Sequence, residues 1–138
     1  MGGEIMLEKN IKKIYNCSRC GICRHWGWNG VEDVCPVYKY TTQYETEYPR
    51  GRVKMYRKLS EGEVAPSQKL AEHMLECTLC GRCDELCPSD IPLHEAFREM
   101  RTELAQQGFT LPAYKKLEED IVKNKNPYVK SVKKEWKI

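Results

Sequence analysis

The eight cysteines of this chain fall into two groups, and their spacing limits the fold more than any other feature. The stretch "NCSRCGICRHWGWNGVEDVCPVY", residues 16–38, carries Cys17, Cys20, Cys23 and Cys35. The stretch "ECTLCGRCDELCPSDIP", residues 76–92, carries Cys77, Cys80, Cys83 and Cys87. Each group opens with three cysteines at steps of three and closes on Cys-Pro. The triplets start 60 residues apart, no cysteine is left over, and the connecting sequence is unlike. What repeats is a site. Three residues separate the last two cysteines of the second group, and eleven separate those of the first.

The setting decides what such cysteines are for. The N-terminus, "MGGEIMLEKNIKKIYN", lacks the apolar stretch of a signal peptide. No apolar run approaches the roughly 20 residues of a membrane span. A chain with 31% charged residues is expected in the cytoplasm, with any membrane association made through a partner. Disulfides are scarce there, so eight cysteines point to metal. At 138 residues the chain has room for one domain.

A 4Fe–4S cubane needs one thiolate on each iron. Cysteines at i, i+3 and i+6 of a curled loop reach three corners of one cube. The Cys-Pro that follows does not easily curl back to the fourth corner, and in two-cluster ferredoxins it ligates the other cluster. Crossed ligation is therefore expected: Cys17, Cys20, Cys23 and Cys87 on one cluster, and Cys77, Cys80, Cys83 and Cys35 on the other. Structural zinc, which favours paired C-x₂-C units, fits two triplets poorly. Disulfides fit the expected compartment worse still.

Other residues are consistent with this chemistry. Gly21 and Gly81 each follow a second cysteine, where the lack of a Cβ permits unusual dihedrals and close approach to a sulfide. Pro36 and Pro88 are expected to stop helix behind the fourth thiolate. Ile22, Val34, Leu79, Leu86 and Ile91 would form a dry wall. Arg19, Arg24 and Arg82 should raise cluster potentials, and Asp84 and Glu85 should lower them. His25 is a weaker ligand candidate, because eight cysteines already satisfy two cubanes. His73 and His94 read as surface or helix-end residues. Trp26 and Trp28 read as core or interface aromatics.

The motif "CTLCGRCDELCP" resembles the signature of bacterial-type ferredoxins. The wider pattern, through "VYKYTTQYETEYPRGRVKMYRKLSEGE" to "IPLHEAFREMRTEL", resembles the dicluster domain of the heterodisulfide reductase and glycolate oxidase iron–sulfur subunits. A more distant likeness is to the two-cluster part of the succinate dehydrogenase iron–sulfur subunit. The resemblance covers roughly residues 12–127. It implies a mainly α fold, the α-helical ferredoxin, built around two 4Fe–4S clusters. It implies electron relay inside a larger oxidoreductase, with no catalytic site in this chain. The implied partner carries a flavin, a cysteine-rich domain, or a molybdenum or tungsten cofactor acting on aldehydes. The chain departs from the family in its eleven-residue gap, "RHWGWNGVEDV", where three residues are usual. Fused relatives also continue past an "NP-aromatic" segment. Here "NPYVKSVKKEWKI" closes the sequence, and a catalytic part is expected on another polypeptide.

The connecting sequence reads as helix. "LEKNIKKIYN" spaces Leu7, Ile11 and Ile14 at helical steps. "RGRVKMYRKLSEG" forms a helix ended by Gly62. "SQKLAEHMLEC" has Ser67 as N-cap and Leu70, Ala71, Met74 and Leu75 as its apolar face. In the next helix Ser89 or Asp90 caps, Pro92 sits in the first turn, Gly108 ends, and Leu93, Phe97, Met100 and Leu104 form one stripe. "PAYKKLEEDIVKN" repeats the pattern with Tyr114, Leu117 and Ile121. A short strand pair fits near residues 31–45. "PRGR" at 49–52 reads as a helix start in preference to a partner contact.

The organisation expected is a two-cluster domain over residues 1–126 and a basic, partner-docking tail over 127–138. Residues 123–138 hold six lysines against one glutamate. A net charge of +3 supports no nucleic-acid partner. There is no nucleophile–base set, no G-x-G-x-x-G and no phosphate loop. A freely diffusing two-cluster ferredoxin and a zinc-bound interaction module remain as alternatives.

Overall fold

The computed structural model describes Leu7, residues 9–27 and residues 33–127. Its architecture is mainly α, as the sequence implies. The helices are α1 (Ile11–Ile14), α2 (Pro36–Tyr40), α3 (Pro49–Ser60), α4 (Gln68–Leu75), α5 (Arg82–Glu85), α6 (Leu93–Gln106) and α7 (Pro112–Asn124). A 3₁₀ turn, Glu45–Glu47, precedes α3. Among the described residues there is no strand, only an isolated antiparallel bridge between His25 and Asp33. The strand pair expected near residues 31–45 is replaced by α2 in its middle.

The core forms where the apolar stripes of α3, α4 and α6 meet. Leu93, Ala96, Phe97, Met100 and Leu104 of α6 are buried at helical spacing. Val53, Tyr56 and Leu59 of α3 and Leu70, Ala71 and Met74 of α4 close over them. Each Val, Leu, Met or Phe among them contributes about 1.5–3 kcal/mol by leaving water. Ser67 caps α4, accepting from the Leu70 N–H at 3.2 Å. The N-terminal segment is tied down through Glu99, whose carboxylate accepts from Lys9 N, Asn10 Nδ2 and Tyr56 Oη at 2.9, 2.9 and 2.7 Å.

Two helix ends depart from expectation. Pro92 stands at the N-cap of α6, and neither Ser89 nor Asp90 caps it. The acceptor is Asp84, ten residues back in sequence, which takes the His94 N–H at 3.1 Å and also binds His94 Nδ1. Pro36 begins α2 where it was expected to stop helix, since a helix tolerates proline at its first position. The largest departure is α7. Its stripe forms, but Tyr114, Leu117 and Ile121 are 49%, 43% and 43% exposed, and none of its residues is buried. A helical period shows that a face is apolar; it does not supply a surface to cover it.

Candidate metal centre

The two cysteine loops adopt the same backbone. Arg19 and Leu79, just before each second cysteine, have φ of +58° and +53°. Gly21 and Gly81, just after it, have φ of +84° and +77°. Left-handed residues flanking a cysteine curl the loop so that thiols three apart face one point. The cost is of order 1–2 kcal/mol at each non-glycine position, and such strain concentrates at functional sites. At Gly81 a Cβ would meet no atom within 4 Å, so glycine is required there by conformation rather than space. The hydrogen bonds repeat too: Arg24 N to Gly21 O and Asp84 N to Gly81 O are both 2.9 Å.

The fourth cysteines return to equivalent places despite unequal gaps. The Cys87 N–H donates to the Asp84 carbonyl at 3.1 Å, and the Cys35 N–H to the Arg24 carbonyl at 3.4 Å. Asp84 and Arg24 each follow the third cysteine of their motif. The His25–Asp33 bridge ties together the described ends of the insert, Arg24 to Gly27 on one side and Asp33 and Val34 on the other. Trp28 lies outside the described residues, and Trp26 is half-buried.

Two hollows result. One is lined by Cys17, Cys20, Cys23 and Cys87, with Gly21, Arg50, Val53, Ile91 and Leu93 among its walls. The other is lined by Cys35, Cys77, Cys80 and Cys83, with Val34, Val37, Leu79, His94 and Phe97. Four thiols and an apolar wall apiece make them a matched pair. In each, the fourth thiol comes from the other motif. Of the expected wall, Val34 and Leu79 line the second hollow and Ile91 the first; Ile22 and Leu86 are half-buried and line neither.

Cys23, Cys35 and Cys83 are poorly placed to ionise alone. Burial pushes Cys23 up to about 12, with the neighbouring Cys17, Cys20 and Cys87 adding to the rise. Burial raises Cys83 further, and Asp84 beside it adds to the effect. Burial also raises Cys35, against backbone N–H groups and Arg52, which pull it down. Iron would have to displace these protons, which couples metal binding to folding. The donor set fits two 4Fe–4S clusters: eight free thiols, four to a hollow, with apolar walls. Cys20 and Cys80 are the exposed members, one per hollow.

Arginines behind the loops hold them in place. Arg101 donates from Nε and Nη2 to the Met74 carbonyl at 2.9 and 2.8 Å, and from Nη2 to the Cys77 carbonyl. It thereby fixes the chain where α4 runs into the second triplet. Arg50 Nη1 donates to the Arg19 carbonyl at 3.0 Å, fixing the first. Arg101 and Arg52 have no sequence signal, because an arginine in a helical stretch reads as solvent-facing. His25 lies in the bridge away from both hollows' linings, and His73 Nε2 donates to the Thr46 carbonyl at 2.6 Å.

A family model described as a 4Fe-4S dicluster domain matches residues 13–91. A probable glycolate oxidase iron-sulfur subunit of Bacillus subtilis is 28% identical over 64% of this chain and 18% of its own length. Lactate utilization protein B of Macrococcus caseolyticus is 30% identical over 84% of this chain and 22% of its own. A subunit of the dihydromethanophenazine:CoB–CoM heterodisulfide reductase of Methanosarcina acetivorans is 28% identical over 71% and 25%. The chain thus spans a quarter or less of the length of these relatives.

Proposed function

The chain belongs to the 4Fe-4S dicluster domain family, and from that premise we propose that it is the relay subunit of a multi-subunit oxidoreductase. Two 4Fe–4S clusters are its cofactors, and electron transfer is its chemistry. We propose the crossed ligand sets: Cys17, Cys20, Cys23 and Cys87 for one cluster, and Cys77, Cys80, Cys83 and Cys35 for the other. The observation that carries this is the grouping of the thiols, four around each hollow, with one drawn from the opposite motif.

A bound cluster exchanges one electron at a time; the protein supplies holding, shielding and tuning. Val53, Ile91 and Leu93 keep water from the first hollow, and Val34, Val37 and Phe97 from the second. The exposed Cys20 and Cys80 mark the edges at which electrons arrive and leave. Among the described residues no helix is long and apolar enough to cross a membrane.

The partner is proposed to be a subunit with a flavin, a cysteine-rich domain or a molybdenum or tungsten cofactor. The domain over residues 1–126 and the docking tail over 127–138 belong to the same proposal, as does a cytoplasmic location. Residues 128–138 lie outside the described residues. The uncovered face of α7, immediately before them, supports a docking role for this end of the chain, with Val122 adding 65% exposure to it. Similarity to subunits named for glycolate oxidase and heterodisulfide reductase supports the choice of partner class.

The test is anaerobic purification from the native source, with metal and sulfide analysis of whatever elutes. Co-elution in fixed ratio with a flavin, cysteine-rich or metal-cofactor subunit is expected, with about eight iron and eight sulfide per chain. A lone brown protein points instead to the diffusible ferredoxin, and zinc without sulfide to the interaction module.

A further inference from the structure

The PRGR segment does more than start a helix. Pro49 is the first residue of α3 and lines the second hollow, while Arg50 lines the first. A Cβ on Gly51 would lie 2.1 Å from the Glu45 carbonyl oxygen, so only glycine lets the 3₁₀ turn pack so closely against α3. That contact fixes the arginines on either side of it. Arg52 is fully buried. Its Nη1 donates to the Glu47 carbonyl at 2.6 Å, and the Cys35 thiol donates to the same oxygen at 3.8 Å. Its Nη2 comes no nearer than 4.0 Å to Oε2 of the half-exposed Glu76, beside Cys77.

Arg52 Nε and Nη2 have no hydrogen-bond partner among the described residues, and neither does Arg50 Nε, although Glu45 Oε1 stands 3.2 Å from it. Buried cations are kept only where something compensates them. Glu45 and Glu76 stand near these N–H groups without accepting from them, and a cluster held by four thiolates would add negative charge and the sulfur acceptors that they lack.

We infer that Arg52 is the counter-cation of the cluster held by Cys35, Cys77, Cys80 and Cys83, and Arg50 that of the other, so that the pair sets the gap between the two potentials. The inference rests on the crossed two-cluster reading above. Positive charge beside a cluster favours its reduced form and raises its potential. Arg52 acts more strongly than Arg50, because its side chain is fully buried and that of Arg50 is 29% exposed.

The test is an EPR-monitored redox titration of the full chain, loaded anaerobically, as wild type, Arg52→Met, Arg52→Lys and Arg50→Met. Arg52→Met is expected to shift the reduction equilibrium of one cluster tenfold toward the oxidised form, about 59 mV for a one-electron couple. The other cluster stays in place. Arg52→Lys keeps both potentials, and Arg50→Met shifts the other cluster by less than tenfold. Loaded Arg52→Met with both potentials unchanged, or both moved alike, overturns the inference. Wild type labelled with ¹⁵N-arginine guards against a variant that does not load: pulsed EPR of the reduced protein is expected to show guanidinium nitrogen couplings, and their absence is equally fatal. Wild type that fails to carry two clusters removes the underlying reading instead, which separates the two failures.

Discussion

The two cysteine motifs reach one geometry with unequal lengths of chain. In the second, three residues lie between the last two cysteines, and the fourth N–H closes onto Asp84 within a single turn. In the first, eleven residues intervene, yet the fourth N–H closes onto Arg24, the equivalent carbonyl. The left-handed pairs Arg19–Gly21 and Leu79–Gly81 match within about 7° in φ. Ligand position is thus set by the curl around the second cysteine and by one returning hydrogen bond. The count of residues between is secondary. The motifs differ in their surroundings: a part-exposed arginine lines the first hollow, whereas behind the second a fully buried arginine shares the Glu47 carbonyl with Cys35, and Asp84 meets Cys83.

The severest way to break the comparison is to remove the metal from both hollows. Cys17, Cys23, Cys77, Cys83 and Cys87 all pack into or against the main core, so neither hollow is separable from the fold. Anaerobic chelation is expected to abolish the cooperative thermal transition and the near-UV circular dichroism. A native-like transition in the stripped chain would show that the core stands without its clusters.

The next largest effect separates crossed from uncrossed ligation. Alanine at Cys35 or Cys87 is expected to halve the iron, from about eight to about four. Cys87→Ala should lose the same EPR signal as Cys20→Ala, and Cys35→Ala the same signal as Cys80→Ala. If Cys35 pairs with Cys20 instead, ligation is uncrossed.

A finer cut compares the two glycines. Alanine at Gly21 or Gly81 is expected to cost about 1–2 kcal/mol, read from denaturant midpoints of loaded protein. The two losses should be alike, because both glycines are left-handed and a Cβ at Gly21 would make only an ordinary 3.4 Å contact with Arg50 Nη1. Negligible losses would mean that the left-handed curl is not what positions the thiols.

The smallest effect should come from the insert itself. Replacing residues 26–32 with a two-residue Asn-Gly turn is expected to change stability by less than about 1 kcal/mol, since loop length enters only logarithmically. Both clusters should load, as iron analysis and EPR would report. Loss of the Cys35 cluster alone would show that the insert shapes the ligand set after all.

Much of this was legible in the residues, for identifiable reasons. Cysteine spacing reports ligand geometry directly, and Gly21 and Gly81 report the positive φ that they adopt. The helix α3, the buried stripes of α4 and α6 and the Ser67 cap are local patterns, readable from near neighbours in sequence. What escaped is not local. Arg19 and Leu79 are left-handed without the residue types that advertise it. Asp84 outcompetes Ser89 and Asp90 as the acceptor for α6 because the curl of the second motif brings it there. Arg52 is buried by the approach of the 3₁₀ turn, which only the folded chain displays. The helices α2 and α5 are too short to show a period, and α7 shows one although none of its residues is buried among the described residues.

The small bridge between His25 and Asp33 has a consequence for how such a chain can change. It joins the two ends of a stretch of sequence beside a circuit that depends on where those ends are held. Beyond the pinch, residues are expected to tolerate lengthening, recomposition or a tag with every wire still soldered. A lineage could therefore rewrite this margin to greet a new neighbour, and an engineer could hang a label on it, without retuning the conductor it adjoins.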